Sequence, residues 1–427
     1  MSTGLKRWVL GICLCCLVAL TACQPANPGD AGVVHLTLWQ GVNPPPNRDI
    51  LQKLVDKFNQ RHPHIQVESL YVGQGDQQMP KILAAVVGNA PPNLLWFAPM
   101  ITGQLVELDA IKPLEEWLAT TQIKEQIDPA LFEAMQWEDR TWSVPFGVNN
   151  VGIFYRPSLF KAAGVTQLPQ TWEELRQVAR QLTIANQQHG MILPLGKGEW
   201  TVFTWLPFMW SGGGELMSEG SVQISNPGAI AALHLWQDLL TDGSAVLSQP
   251  ERGYELDDFL AGKVAMQLTG PWTLGQLQAT DVDYAVMPIP AGTRPATSMG
   301  GENLFVFKTT AAEEQASLVF AEYVLSEEFQ TEWAIGTGYL PVNLNARKSA
   351  AYREFAKQQP AVDVFLKQAE FGRSRPIFLG YSRISENLGR AIETVLLQKS
   401  TPEAALQTSQ KRLALSLPST PSPKRPN

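Results

Sequence analysis

The residues best suited to binding a small molecule lie near the middle of the chain, in a stretch rich in tryptophan. Three of the thirteen tryptophans, Trp200, Trp205 and Trp210, fall within eleven residues, and Glu199 directly precedes the first of them. An indole ring beside a carboxylate suits a sugar, because the ring covers the apolar face of the sugar and the carboxylate accepts hydrogen bonds from its hydroxyl groups. The alternative is a tryptophan that only covers a loop, and this stretch alone leaves both interpretations open.

The spacing of apolar residues separates packing side chains from Trp200. Phe203, Leu206 and Trp210 recur at i, i+3 and i+7, so they share one helical face and are predicted to be buried. Trp200 and Trp205 lie five residues apart, about 140° around a helix, and cannot share a face. Because two glycines closely precede Trp200, we expect it in the loop that enters the helix.

Motifs for catalysis or metal binding are weak. Ser158 to Lys161 fits S-x-x-K, but no S-D-N or K-T-G motif accompanies it. His62 and His64 flank a proline and lack a nearby third metal ligand, and the adjacent carboxylates of Asp257 and Asp258 point apart in any regular element. We therefore expect no cofactor, no metal and no enzymatic activity. The rival class is a secreted glycoside hydrolase or lyase that uses two distant carboxylates.

Length and charge restrict the class of protein. A chain of 427 residues is too long for one ordinary domain, which favours two lobes. Its apolar content of 44% and charged content of 17% are typical of a globular protein. The formal net charge of −7, without a basic stripe, argues against a nucleic-acid partner. We expect a monomer.

The N-terminus has the features of a secretory signal. Lys6 and Arg7 precede an apolar run from Trp8 to Ala22, which is shorter than the roughly 20 residues of a membrane span. The run ends in Leu20–Cys23, which resembles the lipobox at which bacterial lipoproteins are cut before a lipidated cysteine. An ordinary signal peptide is the alternative.

Cysteine usage favours the lipoprotein. All four cysteines lie in this segment, so Cys23 is the only one left after cleavage: Cys13, Cys15, Cys16 and Cys23. We predict a signal peptide over 1–22, lipidation of Cys23, and a flexible, lipid-anchored linker over 23–32. The proline-rich tail over 416–427 is predicted to be disordered.

Hydrophobic periodicity predicts an α/β fold. Val34, Leu36 and Leu38 alternate with polar or aromatic residues as in a strand, whereas the apolar residues from Ile50 to Phe58 keep helical spacing. Further strands and helices alternate along the first hundred residues, which indicates a doubly wound sheet with its ligand site at the carboxyl ends of the strands. The segment Val144–Asn150 is predicted to cross to a second lobe, and Thr171–Glu174 has the spacing of a helix capping box.

Several short segments, in order along nearly the whole chain, resemble the extracellular solute-binding proteins of bacterial carbohydrate ABC importers, in the cluster that includes maltose/trehalose and glycerol-3-phosphate binders. The matching segments are Leu36–Trp39, Gly88–Pro92, Phe146–Arg156, Leu159–Gly164, Thr171–Leu175, Gly270–Trp272, Gly300–Asn303, Thr337–Pro341 and Thr401–Leu406.

The resemblance implies a two-lobed periplasmic-binding-protein fold with the ligand in the cleft between the lobes. We expect residues 33–146 and 283–340 to form the N-terminal lobe, and residues 147–282 and 341–415 to form the C-terminal lobe. It further implies that cleft closure delivers a carbohydrate to the membrane subunits of an ABC importer. The protein would be held by its lipid at the periplasmic, extracytoplasmic face of the cytoplasmic membrane.

The resemblance also implies a set of ligand-binding residues. Aromatic platforms would fall on Trp200, Trp272, Tyr339 and Tyr381. The Gly300–Asn303 turn would offer Asn303, and the end of the first strand would contribute Trp39 or Gln40. Arg383 lies near the position of a phosphate-binding arginine. These candidates are Trp39, Gln40, Trp200, Trp272, Asn303, Tyr339, Tyr381 and Arg383. A purely structural role is left open for each of them, Tyr339 and Asn303 in particular.

Departures from the family pattern concern the ligand. Trp96–Pro99 stands where relatives often carry an acidic residue that binds sugar hydroxyls. Gly75, Pro99 and about Ile377 stand where glycerol-3-phosphate binders carry an aromatic residue, a glutamate and an arginine, although Arg375 is close by. We therefore expect a neutral mono-, di- or oligosaccharide or a glucosylglycerol-like ligand. Glycerol-3-phosphate or a glycerophosphodiester is the alternative within the family.

Overall fold

The structure, a computed structural model, describes residues 32–218, 221–377 and 380–416. The predicted signal peptide, nearly all of the predicted linker, Cys23 and all but the first residue of the predicted tail lie outside the described residues. The strands are β1 Val34–Gln40, β2 Ile65–Tyr71, β3 Leu94–Phe97, β4 Gln136–Trp137, β5 Arg140–Thr141, β6 Ser143–Asn150, β7 Gly152–Tyr155, β8 His189–Leu193, β9 Met217–Ser218, β10 Ser221–Val222, β11 Ala245–Leu247, β12 Val264–Thr269, β13 Ala285–Met287, β14 Thr297–Val306 and β15 Gly372–Ser374.

The helices cover both faces of the sheets. They are α1 Pro45–Arg61, α2 Gly75–Val87, α3 Thr102–Glu107, α4 Glu115–Thr120, α5 Pro157–Ala162, α6 Trp172–Gln181, α7 Glu199–Ser211, α8 Pro227–Thr241, α9 Asp257–Leu260, α10 Leu274–Gln278, α11 Ala311–Leu325, α12 Glu327–Thr337, α13 Leu344–Lys348, α14 Ala350–Gln358, α15 Pro360–Gln368, α16 Tyr381–Leu396 and α17 Pro402–Ser416. Among the described residues, no helix combines the length and the apolar character that crossing a membrane requires.

The first lobe is built on a six-stranded sheet. Its path is β15-β14-β3-β1-β2, and β6 pairs with β14 beside that path. The three N-terminal strands of this sheet, β1, β2 and β3, run parallel, so their carboxyl ends share one edge. Leu36 and Leu38 alternate inward from β1 and join a buried cluster that includes Leu51, Leu54 and Phe58 of α1. The strand and helix predicted from these residues are confirmed.

The second lobe is built on a five-stranded sheet in the order β11-β8-β12-β7-β13. Strands β8, β11 and β12 run parallel, whereas β7 and β13 are antiparallel to their neighbours. Helix α6 begins with the predicted capping box, in which the Thr171 hydroxyl accepts from the Glu174 amide and the Glu174 carboxylate accepts from the Thr171 amide. Together the two sheets confirm the predicted two-lobed α/β class.

Two long strands link the lobes. The predicted crossing at Val144–Asn150 is strand β6, which pairs antiparallel with β14 along most of its length. The predicted boundaries at residues 283 and 341 are shifted. Strand β13 pairs antiparallel with β7 and so belongs to the second sheet, not to the first lobe as predicted. Helices α13 and α14 pack on α12 of the first lobe, so the chain enters the second lobe only at α15, which packs on β13.

Candidate functional site

Helix α7 places Trp200 at the carboxyl edge of the second sheet. The Glu251 carboxylate accepts hydrogen bonds from the Lys197 amide at 2.9 Å and the Gly198 amide at 3.3 Å, which pairs amides at the helix entrance. Gly196 has φ +149°, and a side chain there would collide with the same carboxylate. The helix begins at Glu199, so Trp200 lies in its first turn and not in the loop predicted for it.

The indole of Trp200 is half-buried at the centre of an aromatic group. Its ring centroid lies 5.9 Å from that of Trp272, 6.3 Å from that of Phe203 and 6.3 Å from that of Tyr254. The edge-to-face contact with Trp272 has an interplanar angle of 77°, a geometry that aromatic pairs prefer. The structure therefore brings together Trp200 and Trp272, which are 72 residues apart in the chain.

Trp272 lies where the chain leaves the second sheet and touches the first lobe. Strand β12 ends at Thr269, and the short helical turn Pro271–Thr273 follows. The Trp272 carbonyl accepts from the side-chain amide of Asn47 on α1 at 3.0 Å. Its half-buried ring packs against the hydrophobic clusters of both lobes and lies 6.5 Å from the Tyr339 ring. Trp272 is thus positioned by both lobes.

An ion pair lies directly beside Trp200. The Arg375 guanidinium donates to the Glu199 carboxylate at 2.6 Å and stacks over the Phe203 ring at 4.4 Å. The Tyr381 hydroxyl donates to the same carboxylate at 2.9 Å, and the Ser385 hydroxyl also contacts it. Tyr381 is buried, so its ring cannot act as the predicted platform for a ligand. Tyr381 positions Glu199 instead, because its hydroxyl is hydrogen-bonded to the Glu199 carboxylate.

Glu302 on β14 is a further polar residue of this region that the sequence did not indicate. It is half-buried, and burial raises its pKa to about 7, although the charge of Arg375 and the hydroxyl of Tyr339 act in the opposite direction. Burial, followed by the charge of Glu302, raises the pKa of Tyr339 well above its usual value, so this phenol stays protonated and can donate. Tyr339 is thus a buried residue whose hydroxyl interacts with Glu302, and its ring is not exposed as an aromatic platform.

Asn303, which was predicted instead of Glu302, is directed elsewhere. Strand β14 is irregular here, with Gly301 at φ +129° and a shift of its register with β6 between Glu302 and Asn303, so the contacts of each side chain show its role. The Asn303 amide donates to the Ala134 carbonyl at 2.7 Å and to the Ser143 hydroxyl at 2.8 Å. Its buried amide holds β14 against β6, which is a structural role.

The two candidates at the end of β1, Trp39 and Gln40, also make contacts that stabilise the fold. The buried Gln40 side chain accepts from the Val42 amide at 2.8 Å and so shapes the turn after the strand. Trp39 packs with Leu95 and Phe97 in a small cluster that includes residues of α2. Neither joins the group around Trp200, because Gln40 holds its own loop and Trp39 covers the sheet face beneath a helix.

The arginines near the C-terminus have different surroundings. Arg373 pairs with Glu215, and its guanidinium lies 5.4 Å from the Trp210 ring. Arg383 is exposed on α16, outside the group around Trp200. Only Arg375 of the three lies beside Glu199 and Trp200. Among the residues that the structure describes, no group of three or more His, Cys, Asp or Glu side chains could hold a metal ion.

We call the five residues Glu199, Trp200, Trp272, Glu302 and Arg375 the cleft cluster. Buried polar atoms in this region have no hydrogen-bond partner within the described part of the chain: Glu302 Oε2, Arg375 Nε and Trp200 Nε1 in the cluster, and Asn149 Oδ1 beside Tyr339. Buried polar atoms of folded proteins are nearly always paired, so the hydroxyl groups of a ligand that enters when the lobes separate would supply the missing partners. The cluster has one cation, Arg375, against two carboxyl groups.

Comparison with known proteins identifies a family model that covers most of the chain. Residues 53–361 match the model described as bacterial extracellular solute-binding protein. The sn-glycerol-3-phosphate-binding periplasmic protein UgpB of Yersinia pestis is 24% identical, over 92% of this chain and 94% of its own.

Solved structures share the fold. The GacH receptor of Streptomyces glaucescens, solved unliganded and with acarbose, has a TM-score of 0.82 at 21% identity and covers 90% of this chain and 98% of its own. The maltose-bound MalE3 of T. maritima has a TM-score of 0.81 at 22% identity and covers 90% of this chain and 100% of its own.

Proposed function

Because the chain belongs to the bacterial extracellular solute-binding protein family, we propose that its solute is a neutral carbohydrate bound at the cleft cluster. The observation that carries the proposal is the pairing of two indoles, 5.9 Å apart, with buried and unpaired polar atoms of Glu302 and Arg375. The indoles offer an apolar surface to the faces of a sugar ring, and the polar atoms offer hydrogen bonds to its hydroxyl groups.

The charge of the cluster argues against a phosphate. A phosphate site needs a guanidinium free to form paired hydrogen bonds with the oxyanion. Arg375 instead donates to Glu199 at 2.6 Å. The carboxyl group of Glu302 also lies close enough to contribute to the raised pKa of Arg375. A phosphate would therefore compete with Glu199 for the Arg375 guanidinium. Glycerol-3-phosphate and glycerophosphodiesters are disfavoured on this ground, whatever the relatives bind.

A thermal-unfolding screen of neutral monosaccharides, disaccharides, trisaccharides and glucosylglycerol tests the proposal. A sugar present at 100 times its Kd should stabilise the folded protein by about 2.7 kcal/mol. We propose that the protein binds this sugar without cleaving it, so overnight incubation with oligosaccharides should return them intact. Cleavage products would support the rival class of glycoside hydrolase or lyase, and a screen with no stabilising sugar would contradict carbohydrate binding.

Closure of the cleft would couple binding to transport. Each lobe supplies part of the cleft cluster, since Glu199 and Trp200 follow the second sheet and Glu302 lies on a strand of the first. A sugar that contacts both parts should favour the closed arrangement, which would be presented to the membrane subunits of an ABC importer. We predict that saturating sugar lowers the radius of gyration in X-ray scattering. An unchanged profile at saturation would contradict closure but not binding.

Anchoring of the protein would follow from the motif Leu20–Cys23. We propose a lipoprotein at the extracytoplasmic face of the cytoplasmic membrane. Cys23→Ala should release the protein from the membrane fraction or leave its signal peptide uncut, because the lipid would be attached to the missing thiol. Fractionation and lipid labelling of the wild type and variant would measure this. Normal processing and labelling of Cys23→Ala would contradict the lipoprotein proposal.

A further inference from the structure

A cavity of about 390 Å³ lies beside the cleft cluster and is lined by both lobes. We call it the mouth cavity, and its lining residues are Asn43, Pro44, Pro45, Tyr71, Gln74, Gln77, Tyr254, Glu255, Leu256, Asp257 and Gln276. Tyr71 ends β2 of the first sheet, whereas Tyr254 follows β11 of the second. The Tyr254 ring also meets Trp200 edge to face at 6.3 Å. Tyr254 therefore lies between the mouth cavity and the Trp200 ring of the cleft cluster.

The lining of the mouth cavity suits a neutral, hydroxyl-rich group. Asn43, Gln74 and Gln276 offer amides, which can both donate to and accept from hydroxyl groups. The charged groups in its described lining, Glu255 and Asp257, are both acidic, and Glu255 pairs with Arg252 at 2.5 Å. A sugar hydroxyl would find both hydrogen-bond donors and acceptors in this lining.

The tyrosine of the first lobe is held in place at this cavity. The Arg48 guanidinium stacks over the Tyr71 ring at 4.2 Å, while the Tyr71 side chain remains 42% exposed. A cation held over an aromatic face restricts the ring without burying it. Tyr71 is thus presented to solvent at the mouth of the cleft in a fixed orientation.

The mouth cavity is large enough to admit a part of the ligand that extends beyond the cleft cluster. Its volume of about 390 Å³ falls in the range of roughly 300–1,000 Å³ found for complete small-molecule sites, and the cleft cluster is not among its lining residues. We propose that the ligand contains at least two sugar units, one against Trp200 and Trp272 and the next in the mouth cavity. This inference rests on the proposed function and assigns its substrate class.

Calorimetric titration of a variant with two glutamines removed tests the inference. Gln74→Ala with Gln276→Ala keeps the tyrosines and the cleft cluster, and Gln74 contributes no capping hydrogen bond to α2. The probes are maltose, trehalose, sucrose and cellobiose, with glucose and fructose as their component monosaccharides. In the wild type, one disaccharide should bind at least about tenfold more tightly than its monosaccharides. In the double variant its Kd should rise about tenfold, with monosaccharide affinity changed less than about twofold.

A matched control is Gln52→Ala, which removes an exposed glutamine of α1 outside the mouth cavity. It should leave every affinity unchanged. Equal binding of monosaccharides and disaccharides, an equal loss for both in the double variant, or the same loss in Gln52→Ala would overturn the two-unit ligand and leave carbohydrate binding intact. Absence of binding for every probe would overturn both the inference and the proposed function.

Discussion

Replacement of Glu302 by glutamine is expected to stabilise the unliganded protein at pH 8, by up to about 3 kcal/mol. The pKa of Glu302 rises from 4.5 to about 7 on folding, mainly because the carboxyl group is buried. The folded state therefore holds the proton more tightly than the unfolded state. Ionisation costs stability progressively as pH rises from 4.5 to about 7, and the full cost of about 3 kcal/mol applies above pH 7. Glutamine has a similar shape and carries no such cost.

Chemical denaturation of Glu302→Gln and the wild type at several pH values would measure this effect. The two proteins should have similar free energies of unfolding at pH 4 and diverge as pH approaches 7. Glu328→Gln is a control of opposite sign, because the Arg61 and Lys57 side chains lower the pKa of Glu328 to about 2. That variant should be less stable than the wild type at pH 8 and should lose the difference in acid. A gap for Glu302→Gln that stays constant with pH would contradict a buried, titrating Glu302.

Truncation of Trp200 or Trp272 is expected to weaken sugar binding at least about tenfold, or ~1.4 kcal/mol. Both indoles are half-buried and meet in the cleft cluster, so they have surface left for a sugar ring. Trp210, in the same helix as Trp200, is 2% exposed and packs in the core of the second lobe. Trp210→Ala should instead cost about 3–5 kcal/mol of stability, as for other buried tryptophans.

Calorimetric titration and unliganded melting of the three variants would separate binding from packing. Trp200→Ala should change affinity with little change in melting temperature. Trp272→Ala should change both, because its ring packs against the clusters of both lobes, although its melting temperature should fall less than that of Trp210→Ala. Unchanged affinity in both Trp200→Ala and Trp272→Ala would mean that these indoles serve packing alone.

The regular elements were predictable because they depend on local signals. Alternation in β1, helical spacing in α1 and the capping box of α6 all involve residues within a few positions of one another. The boundaries between lobes were less predictable. Whether β13 joins the first or the second sheet depends on its partner β7, which lies some 130 residues earlier in the chain.

The candidate site was predictable only in part. Trp200 and Trp272 could be identified because one lies beside glycines and a carboxylate and the other in a Gly-Pro turn. Gln40, Asn303 and Tyr381 were chosen for residue type, yet their polar groups are hydrogen-bonded within the fold. Gln40 bonds to the nearby Val42 amide, whereas Asn303 and Tyr381 bond to residues remote in sequence, Ser143 and Glu199. Only the fold shows which polar group is already paired.

The surroundings of Glu302 and Glu199 depend on contacts between residues that are far apart in the sequence. The role of Glu302 depends on Tyr339 and Arg375, and that of Glu199 on Arg375 and Tyr381. The residues of each pair are far apart in the sequence. Residue spacing therefore could not predict the raised pKa of Glu302 or the ion pair between Arg375 and Glu199. The pairing of Arg375 with Glu199 is what favours a neutral sugar over a phosphate.

Calorimetric titration with a neutral sugar and with phosphorylated ligands tests the central claim most directly. The neutral ligand would be the sugar that stabilises the wild type most in the unfolding screen, and the anionic ligands would be sn-glycerol-3-phosphate and a phosphate ester of that same sugar. Because Arg375 is paired with Glu199 and lies near Glu302, the neutral sugar should bind and the phosphorylated ligands should bind at least about a hundredfold more weakly. Tighter binding of either phosphorylated ligand than of the neutral sugar would contradict a neutral carbohydrate site.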